Sequence, residues 1–116
     1  MKITKRFMFE AAHNLINYKG KCERLHGHGY ELEITLEGDV KPSGMVIDFG
    51  DIKKIVTEKI LDRLDHYYIN DIISQPSAEN IAIWIFNELK NSFDGAVLVN
   101  VKLYEGPNSY VEYDGE

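Results

Sequence analysis

From His26 to Gly38 the chain alternates without a break. Even positions read His26, His28, Tyr30, Leu32, Ile34 and Leu36, and odd positions include Glu31, Glu33, Thr35 and Glu37. A period of two is the signature of a strand with one buried face. A slip of one residue would turn the whole apolar set outward, so the pairing register of this strand is tightly specified. A second alternating run precedes it. From Ile3 to His13, Phe7, Phe9, Ala11 and His13 share one face, while Thr4, Arg6, Met8 and Glu10 point the other way. A loop from Asn14 to about Arg24, with Gly20 and several basic residues, joins the two runs.

Pro42-Ser43-Gly44 reads as a turn, and Asp48 as the cap of a helix that buries Ile52, Ile55, Val56, Ile60 and Leu64 and ends near Asp65-His66. Ser77 reads as the cap of a second helix, from about Ala78 to Phe93. That helix is apolar around much of its circumference (Ile81, Ala82, Ile83, Trp84, Ile85, Phe86, Leu89), a breadth that predicts contact with the sheet and with a neighbouring helix or subunit. Gly95 precedes a third strand, Ala96 to Glu105, with Val97, Val99, Val101, Leu103 and Glu105 on one face. Gly106-Pro107-Asn108 turns the chain into a last short strand, Ser109 to Tyr113. The order β-β-α-α-β-β predicts an α+β fold, an antiparallel sheet with its helices on one face. At 116 residues, without repeats, low-complexity tracts or linkers, residues 1–116 form a single domain.

A formal net charge of -6 disfavours nucleic acid or an anionic membrane as the main partner, and leaves room for a small molecule. No stretch resembles a signal peptide or a transmembrane span. The single cysteine cannot form an intrachain disulfide, so the cytoplasm is the expected compartment.

Chemistry concentrates near the loop. His26 and His28, two apart on a strand, project together. If the two alternating runs form a hairpin, its turn brings His13 to them. A His-x-His pair alone is weak evidence, since strand histidines are often merely half-buried. Three imidazoles at an apolar edge need partners, however, and Zn²⁺ supplies them while keeping a fourth position for water or substrate. Cys22 lies four residues before His26 in a polar setting. A dication and basic neighbours would favour its thiolate, making it a candidate base or nucleophile rather than a small buried hydrophobe. Asp65-His66 is either a helix-end histidine beside an exposed aspartate or an acid/base unit. Glu105 falls where the period predicts a hydrophobe. It is either a strand-end residue reaching solvent or a carboxylate that accepts from the N–H edge of a heterocycle. Lys19, Lys21 and Arg24 read as a solvated basic loop, with substrate phosphates as the sharper alternative.

Six motifs occur in order: Phe9-Glu10-Ala11-Ala12-His13, Cys22-x-x-x-His26-Gly27-His28, Ile47-Asp48-Phe49, Leu64-Asp65-His66, Pro76-Ser77-Ala78-Glu79-Asn80 and Tyr104-Glu105. Together they resemble the 6-pyruvoyl-tetrahydropterin synthase / 6-carboxy-5,6,7,8-tetrahydropterin synthase family over essentially the whole chain. The resemblance implies a tunnelling fold (T-fold), a four-stranded antiparallel sheet with two helices on one face. Its subunits join their sheets into an oligomeric barrel, typically a homohexamer built as a dimer of trimers with shared active sites. It further implies that His13, His26 and His28 bind Zn²⁺, that Cys22 abstracts a proton, that Asp65 and His66 assist, that Glu105 anchors the pterin ring, and that Ser77 lines the ring pocket.

The implied reaction converts 7,8-dihydroneopterin triphosphate to 6-carboxy-5,6,7,8-tetrahydropterin, with loss of triphosphate and acetaldehyde, in the queuosine/deazapurine pathway. The related branch retains the side chain as 6-pyruvoyl-tetrahydropterin. Glu23 stands three residues before His26, where some relatives carry a glutamate instead of the cysteine and release a 6-hydroxymethyl pterin. The chain has both residues, so Glu23 is either a product-determining substrate contact or a solvated loop charge. The non-enzymatic alternative is a zinc-stabilised pterin-binding module.

Overall fold

The structure, a computed structural model, describes residues 1–16 and 24–116. Strands β1 (Lys2–His13), β2 (His26–Glu37), β3 (Val97–Glu105) and β4 (Tyr110–Tyr113) form one antiparallel sheet in the order β1-β2-β3-β4. The alternation in β2 sets the sheet's two faces. Tyr30, Leu32, Ile34 and Leu36 are fully buried and meet Phe7, Phe9 and Ala11 of β1 on the same face. The register runs from Lys2 opposite Glu37 to His13 opposite His26, so the hairpin closes on two histidines.

Helix α1 (Phe49–Val56) is capped by Asp48, whose side chain accepts from the Gly50 N–H at 2.7 Å. It continues through a π-helical turn (Thr57–Leu61) into α2 (Asp62–Leu64). Ile52, Val56, Ile60 and Leu64 are all fully buried. A regular α-helix would rotate such an i, i+4 series by about 40° per step. The wider π turn offsets this drift and keeps Leu64 on the core side. Ile55 is only partly buried.

Helix α3 (Ala78–Leu89) is capped by the Ser77 hydroxyl, which accepts from the Asn80 N–H at 3.1 Å. It ends four residues earlier than the apolar pattern predicts. Lys90 leaves the helical region and Asn91 takes a left-handed φ of 64°, a conformation asparagine tolerates. Phe93 reaches the core from the turn beyond. The breadth of the helix is only partly absorbed: Ile81, Ala82, Ile85, Phe86 and Leu89 are buried, Ile83 is exposed, and Trp84 lies under the Arg63 guanidinium at 4.7 Å.

The third strand corrects the simple alternation. Thr35 pairs with Asn100 but Leu36 pairs with Leu98, so β3 carries an extra residue at Val99. This bulge moves Leu98 to the buried face and leaves Val97 66% exposed. Beyond it Val101 and Leu103 keep the predicted inward direction, and Glu105 follows them. Val97 and Val99 therefore do not share the core face with Val101 and Leu103.

The bulge makes opposite predictions for neighbouring residues. Leu98→Ala is expected to lower the unfolding free energy by about 2–5 kcal/mol. Val97→Ala should change it by no more than about 0.5 kcal/mol. Urea titration of the two variants reads the difference directly.

Candidate metal and catalytic site

The hairpin register places His13 opposite His26, and the strand period places His28 beside them on the same face. The three rings are 4.5–5.0 Å apart, centroid to centroid. On the adjoining strand, Glu105 pairs with Tyr30, one step along β2 from the histidine pair. Its Oε1 lies 3.2 Å from His28 Nε2 and 4.0 Å from His13 Nε2. One donor atom from each of His13, His26, His28 and Glu105 falls within 4.8 Å of the others.

Two backbone carbonyls orient this cluster. His13 Nδ1 lies 2.6 Å from the Pro76 carbonyl oxygen, and His26 Nδ1 lies 2.7 Å from that of Arg24. A carbonyl only accepts, so each Nδ1 carries the proton and donates, leaving the Nε2 lone pair free. His13 is buried, and its Nε2 and that of His28 have no hydrogen-bond partner among the described residues. Burial pushes the pKa of His28 down and His26 and His13 push the same way, against the pull of Glu105, so the ring stays neutral. Imidazoles whose ring nitrogens converge on one point are a donor set that suits Zn²⁺.

The segment leaving His13 is clamped by side-chain amides. Asn70 pairs with both the N–H and the carbonyl of Asn14, at 3.0 and 2.9 Å. Gln75 does the same for Ile16, at 2.6 and 2.8 Å. These amides substitute for a neighbouring strand where β1 has ended. Together with Pro76, they couple the approach to α3 to the histidine end of the hairpin. Ser77 follows directly, with its hydroxyl engaged in the helix cap.

Asp65 and His66 arrive separately. His66 donates its backbone N–H to the Glu10 carbonyl at 2.6 Å, and Asp65 Oδ1 accepts from the Glu10 N–H at 3.0 Å, so the pair is attached to the outer edge of β1. His66 takes a φ of 63° there. Asp65 Oδ1 also lies 3.0 Å from His66 Nδ1, while the His66 ring is largely exposed. The pair does not join the histidine cluster. His66 shares with Gly27, His28 and Tyr67 the lining of an open cavity of about 480 Å³. Arg24 is exposed. Cys22 and Glu23, like Lys19 and Lys21, lie outside the described residues.

Tyr30 belongs to this neighbourhood without having been singled out in the sequence. It is fully buried, stacked on Phe9 at 4.9 Å and edge-on to His13 and His28. Its hydroxyl has no partner among the described residues. Burial, reinforced by Glu105, raises its pKa well above the usual phenol value. As one more large residue in an alternating run, it carried no signal of an unsatisfied polar atom. The carbonyls of Pro76 and Arg24 have no side-chain signature at all.

A family model described as 6-pyruvoyl tetrahydropterin synthase matches residues 2–116. The chain is 38% identical to 6-carboxy-5,6,7,8-tetrahydropterin synthase of Haemophilus influenzae, with 97% of each chain covered. It is also 38% identical to the dihydroneopterin monophosphate aldolase of Pyrococcus furiosus, covering 97% of this chain and 96% of that one. Among solved structures, Caenorhabditis elegans 6-pyruvoyl tetrahydropterin synthase superposes with a TM-score of 0.89 at 30% identity, covering 100% of this chain and 96% of the other.

Two outcomes follow from the site's polar balance. Removing the unpaired hydroxyl in Tyr30→Phe is expected to stabilise the metal-free protein by about 1 kcal/mol in urea unfolding. His28 has a folded-state pKa below its ordinary 6.5, so the unfolded chain takes up a proton that the native state resists. Its contribution is therefore intact above that value and turns against folding as pH falls below it. Metal-free protein should lose stability as pH falls below the ordinary imidazole value of 6.5, and His28→Gln should lose less.

Proposed function

The chain belongs to the 6-pyruvoyl tetrahydropterin synthase family, and from that premise we propose that it is a zinc-dependent lyase acting on 7,8-dihydroneopterin triphosphate. The product is 6-carboxy-5,6,7,8-tetrahydropterin, formed with loss of triphosphate and acetaldehyde, as a step toward queuosine-type deazapurines. The observation that carries the metal reading is the convergence of three imidazoles and one carboxylate at the hairpin end. The choice of product is supported by the 6-carboxy-tetrahydropterin synthases among the relatives.

In this reading His13, His26 and His28 hold the zinc. Zinc supplies Lewis acidity, which makes the C–H bonds of the substrate side chain easier to deprotonate. Cys22 takes the proton. Asp65 accepts from His66 Nδ1 and so leaves Nε2 able to receive a proton at the open side of the cavity. Ser77 and Glu23 contact the substrate. The resemblance implies that Glu105 meets the ring edge, but a separation of 3.2 Å from His28 Nε2 favours contact at the metal end, beside the reacting side chain.

The same reading includes a homohexamer, a dimer of trimers whose subunits extend one another's sheets and share active sites. It is supported by β1 and β4 standing as the sheet's outer strands. A cytoplasmic setting is part of the proposal; no helix among the described residues is long and apolar enough to cross a membrane.

One relative favours a second reading. The similarity to a dihydroneopterin monophosphate aldolase, with Glu23 in the chain, admits release of a 6-hydroxymethyl pterin. Mass spectrometry of products from zinc-loaded enzyme separates the two. The lyase reading expects 6-carboxy-tetrahydropterin and acetaldehyde, with turnover falling about 10²–10⁴-fold in Cys22→Ala. A hydroxymethyl product whose formation depends on Glu23 rather than Cys22 would establish the aldolase, and a pyruvoyl product the third branch.

A further inference from the structure

Glu105 Oε1 lies 3.2 Å from His28 Nε2, yet the buried Nε2 has no hydrogen-bond partner among the described residues. The two atoms are close without the geometry of a shared proton. His13 Nε2, 4.0 Å from the same oxygen, is buried and also without a partner among the described residues, and the ring's proton is held at Nδ1 by the Pro76 carbonyl. The lone pair of His13 Nε2 and the carboxylate of Glu105 therefore point into one small volume, with His28 Nε2 beside them. Such an arrangement is repulsive unless a cation fills it.

The dimensions identify the cation's coordination. Four nitrogen or oxygen donors at 2.0–2.1 Å from zinc stand about 3.3–3.4 Å apart along a tetrahedral edge. The Glu105–His28 separation is already of that size, and the widest separation in the four-residue set, 4.8 Å, closes with movements of under about 1 Å per side chain. Backbone hydrogen bonds hold the strand end that carries the carboxylate. The Glu105 N–H donates to the Ser109 carbonyl at 2.9 Å, and the neighbouring Gly106 N–H donates to the Gly29 carbonyl at 3.1 Å, next to His28.

We infer that Glu105 is the fourth ligand of the metal in the substrate-free protein, and that a substrate oxygen must displace it. The site at rest is thus closed by the protein, with no position left open for water. The displaced carboxylate stays within reach of the side chain whose oxygen has taken its place, where it accepts a hydrogen bond. The inference rests on the zinc reading above and adds to it an exchangeable ligand.

Cobalt substitution and chelator competition test it without recourse to turnover. Substrate-free wild type carrying Co²⁺ should show the strong visible bands of a tetrahedral site. Glu105→Gln should weaken them and raise the zinc Kd by about tenfold or more, an effect at least as large as the loss of an outer-shell partner. Glu105→Asp, which keeps the charge on a shorter stem, should fall between the two, and circular dichroism identifies any variant that fails to fold. Adding 7,8-dihydroneopterin to the wild type should move its spectrum toward that of Glu105→Gln. Equal affinities and equal spectra in folded wild type and Glu105→Gln would overturn the inference while leaving the zinc reading standing. So would a thiolate-to-cobalt charge-transfer band lost in Cys22→Ser, because the fourth ligand would then be Cys22. A wild-type spectrum unmoved by the pterin would overturn displacement. A protein that takes up neither metal would overturn both readings.

Discussion

The pairing of His13 with His26 across the end of the β1–β2 hairpin is the contact on which the site depends. One buried face and a period of two allow only one register. That register carries both strands' last inward-facing residues to the same corner, and those residues are histidines. His13 is buried there, and its ring and those of His26 and His28 stand 4.5–5.0 Å apart, centroid to centroid. The hydrophobic ordering of Tyr30, Leu32, Ile34 and Leu36 against Phe7, Phe9 and Ala11 therefore supplies the geometry of a polar site at no separate structural cost.

The remaining elements act as supports for that corner. The Pro76 carbonyl fixes the tautomer of His13 from the approach to α3, and Asn70 and Gln75 hold the chain where β1 stops. The π turn in the first helical stretch keeps Leu64 on the core side, which delivers Asp65 and His66 to the outer edge of β1. A one-residue bulge in β3 lies between the simple alternation and the observed faces, and it acts only above Asn100. Val101, Leu103 and Glu105 are below it, so the carboxylate still reaches the histidines.

Much of this was legible before any coordinates. The element order, the antiparallel hairpin, the caps at Asp48 and Ser77, and the proximity of His13 to His26 and His28 all follow from local period and capping chemistry. Three features were not legible. The alternation points Val97 and Val99 inward, whereas the structure buries Leu98, because a bulge is a property of pairing and leaves no mark on the strand itself. The end of α3 was set by a turn at Asn91 despite a continuing apolar pattern. The roles of Pro76 and Arg24 belong to carbonyls that every residue possesses.

The amino-acid sequence by itself determined which side chains face inward, where the helices begin and which residues carry chemistry, because these depend on spacings of two to four residues along one segment. Only the tertiary structure decided that Glu105 stands beside His28, that Tyr30 buries a hydroxyl with no partner among the described residues, and that Asp65-His66 sits on the strand edge apart from the imidazoles. Those relations join residues dozens of positions apart. They are set by strand order, a bulge and the path of the helices, all of which follow from packing the whole chain at once and from no local pattern within it.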